Sequence, residues 1–273
     1  MESILAIGAS LGAIVGLILA LTGAGGAILA VPLLVFGLHL RLAEAAPVAL
    51  LAVGVSAAVG ALIGLRAGTV RYRAAAVMAV AGVIASPAGL WLAHRAPNGP
   101  LTLLFAAVLG GVAIRMFRQT RTPQSATASV PQGPLPPCQL SNATGRFVWT
   151  ASCMRALAAS GLGAGFLSGL LGVGGGFVIV PALRRATNAS QQAIVATSLA
   201  VITLVSASGV ISTAMTGHMN WQVGAPFAAG AMMGMLGGRR LASRLSGSRL
   251  QQGFALVAGL TAIGMAAKVA LAA

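Results

Sequence analysis

Apolar runs from Ser3 to Leu21, Ala46 to Leu65, Ala74 to Ala93, Leu101 to Ile114, Ala193 to Ala214 and Phe254 to Ala273 dominate this chain. They lie near the roughly 20 residues that a helix needs to cross a bilayer. No soluble domain could hide that many. Only 7% of the 273 residues are charged, against about a quarter in soluble domains, and 58% are hydrophobic. The expected fold is an all-α polytopic membrane protein.

The formal charge of +15 arises from 17 Lys and Arg against 2 acidic residues, which in a soluble protein would point to nucleic acid. Here the location of the charges argues against that partner. All but Lys268 are Arg, and they stand between apolar runs, where positive-inside sorting puts them. Glu2 occupies the place of a positive n-region, and the first run is too long for an h-region, so it reads as the first helix rather than a cleaved signal. The cysteines, Cys138 and Cys153, lie in or beside the most polar stretch. A lone pair makes no metal or disulfide framework, and they are expected to be incidental thiols.

Self-comparison exposes a duplication at an offset of 149 residues. It pairs Gly12 with Gly161, Gly16 with Gly165, Gly23 with Gly172, Gly25 with Gly174, Gly26 with Gly175 and Val31-Pro32 with Val180-Pro181. The register continues through Gly60 and Gly209, Gly89 and Gly238, Arg95 and Arg244, Phe105 and Phe254, and Met116 and Met265. Between the halves, 119–150 is rich in Pro, Ser, Thr and Gln and reads as a linker. The expected organisation is a first transmembrane repeat over 1–118, a cytoplasmic linker over 119–150 and a second repeat over 151–273. Each half holds about five hydrophobic segments: 3–22, 27–40, 44–66, 73–94 and 100–117, then 156–171, 176–187, 191–214, 222–243 and 250–271. The second of each set is short, so it either spans poorly or forms a re-entrant hairpin with the first.

Either alternative leaves an odd number of crossings per half, which inserts the second repeat upside down. The arginines support this. Arg66, Arg71 and Arg73 follow the third segment of the first half, while the equivalent loop around Thr216 to Asn220 has no Lys or Arg. The next loop reverses the bias, with His94 and Arg95 in the first half against Arg239, Arg240, Arg244 and Arg249 in the second. Placing the rich loops inside puts fourteen basic residues there and only Arg41, Arg95 and Lys268 outside. Both termini are therefore expected in the periplasm.

The glycine-rich breaks run from Thr22 to Pro32 and from Gly172 to Pro181. Glycine permits chain reversal and close approach, and the helix that follows begins with unpaired N–H groups that attract anions, more strongly in a membrane. Two breaks related by an in-plane pseudo-two-fold would meet near the midplane, as interrupted helices do in secondary transporters. The competing reading is that these glycines serve helix packing alone.

The run Gly172-Val-Gly-Gly-Gly-Phe-Val-Ile-Val-Pro181, then Ala196-Thr-Ser-Leu and a Gly217-x-x-Asn-Trp221 turn, resembles the TauE/SafE family of anion permeases, the sulfite exporter or TSUP family. The likeness covers both halves. It implies transport of sulfite, thiosulfate, sulfonates or related organic anions across a bacterial inner membrane. Carried onto this sequence, the substrate-binding set is Gly23, Gly25, Gly26 and Pro32 in the first half, and Gly172, Gly174, Gly175, Gly176, Pro181, Thr197 and Ser198 in the second. The first half departs from the pattern: its break lacks the third consecutive Gly, and Pro47-Val-Ala stands where Ala196-Thr-Ser stands. The second half should then supply more of the polar contacts.

Other residues have plainer readings. Thr197 and Ser198 could instead bond back to their own helix. Tyr72 and Trp221 suit interfacial anchoring. Glu44, the only acidic residue beyond the N-terminus, either serves coupling or pairs with Arg41 at the surface. With no Asp in the chain and few acids or histidines in the apolar segments, no catalytic residue, metal ligand or cofactor is expected. The expected partners are a small anionic substrate and the lipid bilayer, without nucleic acid, and a homo-oligomer is compatible with both. The reading is a secondary transporter of a small sulfur-containing or organic anion and not an enzyme; the alternative is a non-transporting scaffold or accessory subunit.

Overall fold

The computed structural model describes residues 2–23, 25–95, 97–121, 138, 150–215, 217, 219–242 and 247–272. Among the described residues ten helices follow one another: α1 (Glu2–Thr22), α2 (Gly25–Gly37), α3 (Leu42–Arg66), α4 (Tyr72–Arg95), α5 (Asn98–Arg121), α6 (Ala151–Leu171), α7 (Gly176–Ala186), α8 (Gln191–Met215), α9 (Trp221–Ala242) and α10 (Gly247–Ala272). The protein is an all-α polytopic membrane protein. Among the described residues, α1, α3, α4, α6 and α8 carry stretches long and apolar enough to cross a bilayer. Helices α2 and α7 are short, as expected. Helix α6 begins at Ala151, five residues before the expected 156, because the Thr150 hydroxyl caps it by accepting the Cys153 N–H at 3.1 Å.

The helices pack in pairs that obey the 149-residue offset. Helix α1 lies against α9, and its counterpart α6 lies against α4, the counterpart of α9. In both contacts glycines rest on the backbone of the facing helix: Gly12 on Phe227 and Gly16 on Ala231 in one, Gly161 on Met78 and Gly165 on Gly82 in the other. Each position is the offset partner of the other. The repeats therefore interlock, the first helix of each resting on the fourth helix of the other.

Helices α3 and α8 are counterparts and cross each other directly. Leu50 faces Gly209, Gly54 faces Ser206, Gly60 faces Leu199 and Gly64 faces Ala196, so the two run antiparallel. Helices α5 and α10 also run antiparallel, with Gly110 near Ala262 and Gly259 near Ala113. A two-fold axis parallel to a pair of equivalent helices leaves them parallel; an axis perpendicular to them reverses one. The antiparallel crossings are thus the geometry of inverted repeats.

The cysteines depart from expectation. Cys138 and Cys153 form a disulfide across a sequence separation of 15, and both are fully buried. Cys138 also donates its backbone N–H to Ala186 O at 2.9 Å and pairs in parallel with Thr187, which holds it against the end of α7. Spacing alone gave no sign of this, because the partner surface is the end of α7, more than thirty residues beyond Cys153. Residues 122–137 and 139–149 of the linker lie outside the described residues.

Candidate functional site

The second break is a sharp return of the chain into the middle of the bundle. Helix α6 ends at Gly172, whose left-handed conformation (φ 70°) lets its N–H reach back to Ser168 O at 2.9 Å. Gly174 and Gly175 are also left-handed, at φ 71° and 67°, a conformation costly to any residue with a Cβ. They turn the chain so that α7 starts beside α6. A Cβ on Gly175 would lie 2.6 Å from Ala164 O, and Ala164 neighbours the Gly165 that crosses Gly82 of α4. Gly174 faces the α3–α8 crossing, where its Cβ would stand 3.0 Å from Val53 Cγ1 and 3.2 Å from Ile202 Cγ2. Val53 and Ile202 are offset partners, so Gly174 sits close to the pseudo-two-fold. The N-terminus of α7, with its outward-pointing N–H groups, thus lies at mid-depth, where a helix dipole is least screened.

The first break follows the same path. Gly23 is left-handed at φ 75° and packs on Val195 Cγ1, while Gly172 packs on Ala46, the offset partner of Val195. Gly25 opens α2, and Gly26 rests on Leu19 and on Val15 O, the counterpart of Ala164 O. Gly172, Gly174, Gly175 and Gly176 are all buried, and α2 touches α7. Pro32 and Pro181 lie within α2 and α7, about two and one and a half turns past the breaks, where their missing N–H frees a carbonyl one turn earlier.

Thr197 and Ser198 are buried on the side of the first break rather than the second. Thr197 Oγ1 accepts the backbone N–H of Arg71 at 3.1 Å and so ties α8 to the start of α4. Ser198 Oγ donates back to Val195 O at 2.8 Å, and Val195 is the residue that packs on Gly23. Arg239, expected in a loop, occupies the last turn of α9 and donates to Gly60 O of α3 at 2.9 Å. Glu44 accepts from Arg41 in an exposed ion pair, with Arg41 Nε at 2.9 Å. Tyr72 and Trp221 open α4 and α9 with exposed rings, and Arg95 stacks on Trp91 at 4.2 Å.

Sequence reasoning missed the serines. Ser206 Oγ lies 3.2 Å from the Cβ position of Gly174, is fully buried, and has no hydrogen-bond partner. Ser168 Oγ, one turn before Gly172, is likewise buried and unpartnered. Ser86 of α4 is 2% exposed, with its carbonyl against Gly169 and its hydroxyl 3.9 Å from the Cβ position of Gly209. Leaving a buried hydroxyl unsatisfied costs ~1–3 kcal/mol, so Ser206 and Ser168 call for an explanation. The offset partners of Ser86, Ser168 and Ser206 are Met235, Leu19 and Ala57. The hydroxyls beside the first break, Thr22, Thr197 and Ser198, all have hydrogen-bond partners, whereas Ser168 and Ser206 beside the second have none. A search for departures from the repeat, rather than matches to it, would have found them.

With this geometry in view, similarity to known proteins becomes informative. The family model described as "Sulfite exporter TauE/SafE" matches residues 8–265. The chain belongs to the sulfite exporter TauE/SafE family. Two proteins of Xylella fastidiosa named "Probable membrane transporter protein" are similar along their length: 29% identity in strain Temecula1 and 30% in strain 9a5c, each over 259 residues covering 92% of this chain and 91% of the relative. A Bacillus subtilis "Probable membrane transporter protein YunE" is 40% identical over 70 residues, 26% of each chain. No solved structure gives a significant match. As a TauE/SafE member, the protein is a multi-pass membrane transporter.

Proposed function

We propose that this TauE/SafE protein is a secondary transporter that moves a small sulfur-containing or organic anion, such as sulfite or a sulfonate, across the bacterial inner membrane. The observation that carries the reading is the start of α7 at mid-depth, with left-handed Gly174 and Gly175 against the α3–α8 crossing. There an anion meets backbone N–H groups in a low dielectric. The unpartnered hydroxyls of Ser168 and Ser206 favour that break as the principal site, since the hydroxyls beside the first break are already hydrogen-bonded.

Alternating access follows from the inverted repeats, 1–118 and 151–273. The exchanging units are the α1–α2 hairpin with α9 and the α6–α7 hairpin with α4, each combining helices of both repeats and swinging about the α3–α8 pair. The arginine count supports termini in the periplasm and the 119–150 linker in the cytoplasm, whereas the Cys138–Cys153 disulfide favours an oxidising compartment for that linker.

The test is flux into proteoliposomes with labelled sulfite and methanesulfonate. Wild type is expected to move at least one of them. Gly174→Leu and Gly175→Leu are expected to abolish flux while the protein still reconstitutes, since a side chain at either position meets Val53, Ile202 or Ala164. Undiminished flux in both variants refutes the site. A wild type that moves neither anion favours the scaffold reading, in which the glycines serve packing alone.

A further inference from the structure

We infer that the second break holds one singly charged oxyanion with an apolar substituent, bound through the Ser206 hydroxyl, and that it discriminates against dianions. This rests on the transport site proposed above and adds the ligand's charge, shape and stoichiometry.

Ser206 behaves unlike the hydroxyls around it. On the same helix Ser198, Thr203, Ser208 and Thr213 each donate to a carbonyl three or four residues back, as helical hydroxyls buried in apolar surroundings commonly do. Ser56 does so on α3, toward Ala52 O at 2.7 Å. Ser206 has equivalent carbonyls within the same helix, yet its Oγ has no partner and is aimed at the Gly174 turn, 3.2 Å from that residue's Cβ position. Because residue 174 is glycine, no side chain stands between the hydroxyl and the backbone of the turn. A donor left unused, next to a helix N-terminus that begins at mid-depth, is two converging donor sets waiting for one acceptor.

The neighbours define that acceptor. The other groups nearest Gly174 are methyls, Val53 Cγ1 and Ile202 Cγ2. The donors at the turn, a hydroxyl and backbone N–H groups, are neutral. Neutral donors stabilise one delocalised negative charge, whereas a second charge in a low dielectric needs a counter-cation. Methyls offer nothing to further oxyanion oxygens but pack well on an alkyl group. The first break gives no equivalent site, because Ala57 stands where Ser206 stands.

The experiment is titration calorimetry on the full chain in detergent, with methanesulfonate and sulfate at matched ionic strength. The two are similar tetrahedral anions that differ in charge and in a methyl for an oxygen. Expected are one methanesulfonate per chain, at least tenfold preference over sulfate, and an affinity for methanesulfonate weakened about tenfold or more in Ser206→Ala, the scale of a hydrogen bond to a charged group. The unliganded melting temperature of Ser206→Ala should equal or exceed that of wild type, which separates a ligand from a structural role. Sulfate bound as tightly as methanesulfonate, two ions per chain, or an unchanged affinity in Ser206→Ala would overturn the inference. If any of these occurs while Gly174→Leu still abolishes binding, the transport site stands and only its selectivity falls. If wild type binds neither anion, both fall.

Discussion

Gly165→Ala is the most direct test of how the repeats interlock. Gly165 crosses Gly82 where α6 meets α4, and an added Cβ would stand 2.6 Å from the Gly82 carbonyl carbon. Carbon atoms pack at roughly 3.5–4.0 Å, so the two backbones must part by about 1 Å. The displacement cannot stay local, because Gly161 on Met78, Gly169 on Ser86 and Gly89 on Phe166 are equally close along the same seam. Overpacking of a tight interface costs ~1–3 kcal/mol, and a rigid backbone seam belongs at the upper end. At ~2–4 °C per kcal/mol, the melting temperature in detergent should fall by about 5–10 °C. Gly163→Ala on the same helix is the control: nothing lies within 4 Å of its Cβ position, and the better helix former should leave stability unchanged or raise it by up to ~1 kcal/mol. Gly16→Ala, its Cβ 2.7 Å from the Ala231 carbonyl carbon, should cost about as much as Gly165→Ala. The reasoning fails if Gly165→Ala melts with Gly163→Ala, and the symmetry fails if Gly16→Ala is neutral while Gly165→Ala is not.

Three more outcomes follow from individual contacts. Replacing Cys138 and Cys153 by Ser opens a loop of sequence separation 15 and should cost ~3 kcal/mol, read as a lower melting temperature that reductant no longer affects; equal melting with and without the bridge would exclude that role. Thr197→Val strands the Arg71 N–H and should cost ~1–3 kcal/mol with faster hydrogen exchange at Arg71, whereas Ser198→Ala, losing only a bond to its own helix, should change little. Cysteines placed at Tyr72 and Trp221 in a cysteine-free background should react with an impermeant thiol reagent from opposite faces of the membrane; labelling from one face would contradict inversion, because these exposed residues are offset partners.

Much of this architecture was legible because bilayer thickness fixes helix length and glycine marks turns. The segments 3–22, 44–66, 73–94 and 191–214 fall within a few residues of α1, α3, α4 and α8. The short second segments also emerged, since Gly23 and Gly172 must adopt positive φ for the chain to reverse. The start of α6 was misplaced because Met154 and Arg155 weaken the apolar pattern there, and the Thr150 cap and the buried disulfide compensate. Helix pairing was beyond reach. The repeat identifies α1 with α6, but nothing in either segment says that α1 meets α9; that follows from which glycine faces find backbone to rest on.

Ser206 was hidden for a different reason, and it separates scaffold from chemistry. Glycine contacts recur at the offset: Gly12 with Gly161, Gly16 with Gly165, Gly26 with Gly175 and Gly60 with Gly209 each meet equivalent partners. Many of the glycines that let two backbones touch are kept in both halves, which keeps the duplication visible, although Ala20, Ala81 and Ala85 stand at the offset positions of Gly169, Gly230 and Gly234. A ligand contact need not be kept in both. Once two inverted breaks meet near one axis, a single anion needs donors from only one of them, and the other is free to become apolar. The pairs Ser206 and Ala57, Ser168 and Leu19, and Ser86 and Met235 all diverge in that direction. In an inverted-repeat transporter the positions that keep the repeat report how the helices touch, and buried polar positions that break it point to what is carried. Introducing a serine at Ala57 should therefore recruit donors to the first break without disturbing the seams, raising methanesulfonate stoichiometry toward two per chain. A variant that melts like wild type but still binds only one would show that the asymmetry lies in the backbone of the breaks and not in these side chains.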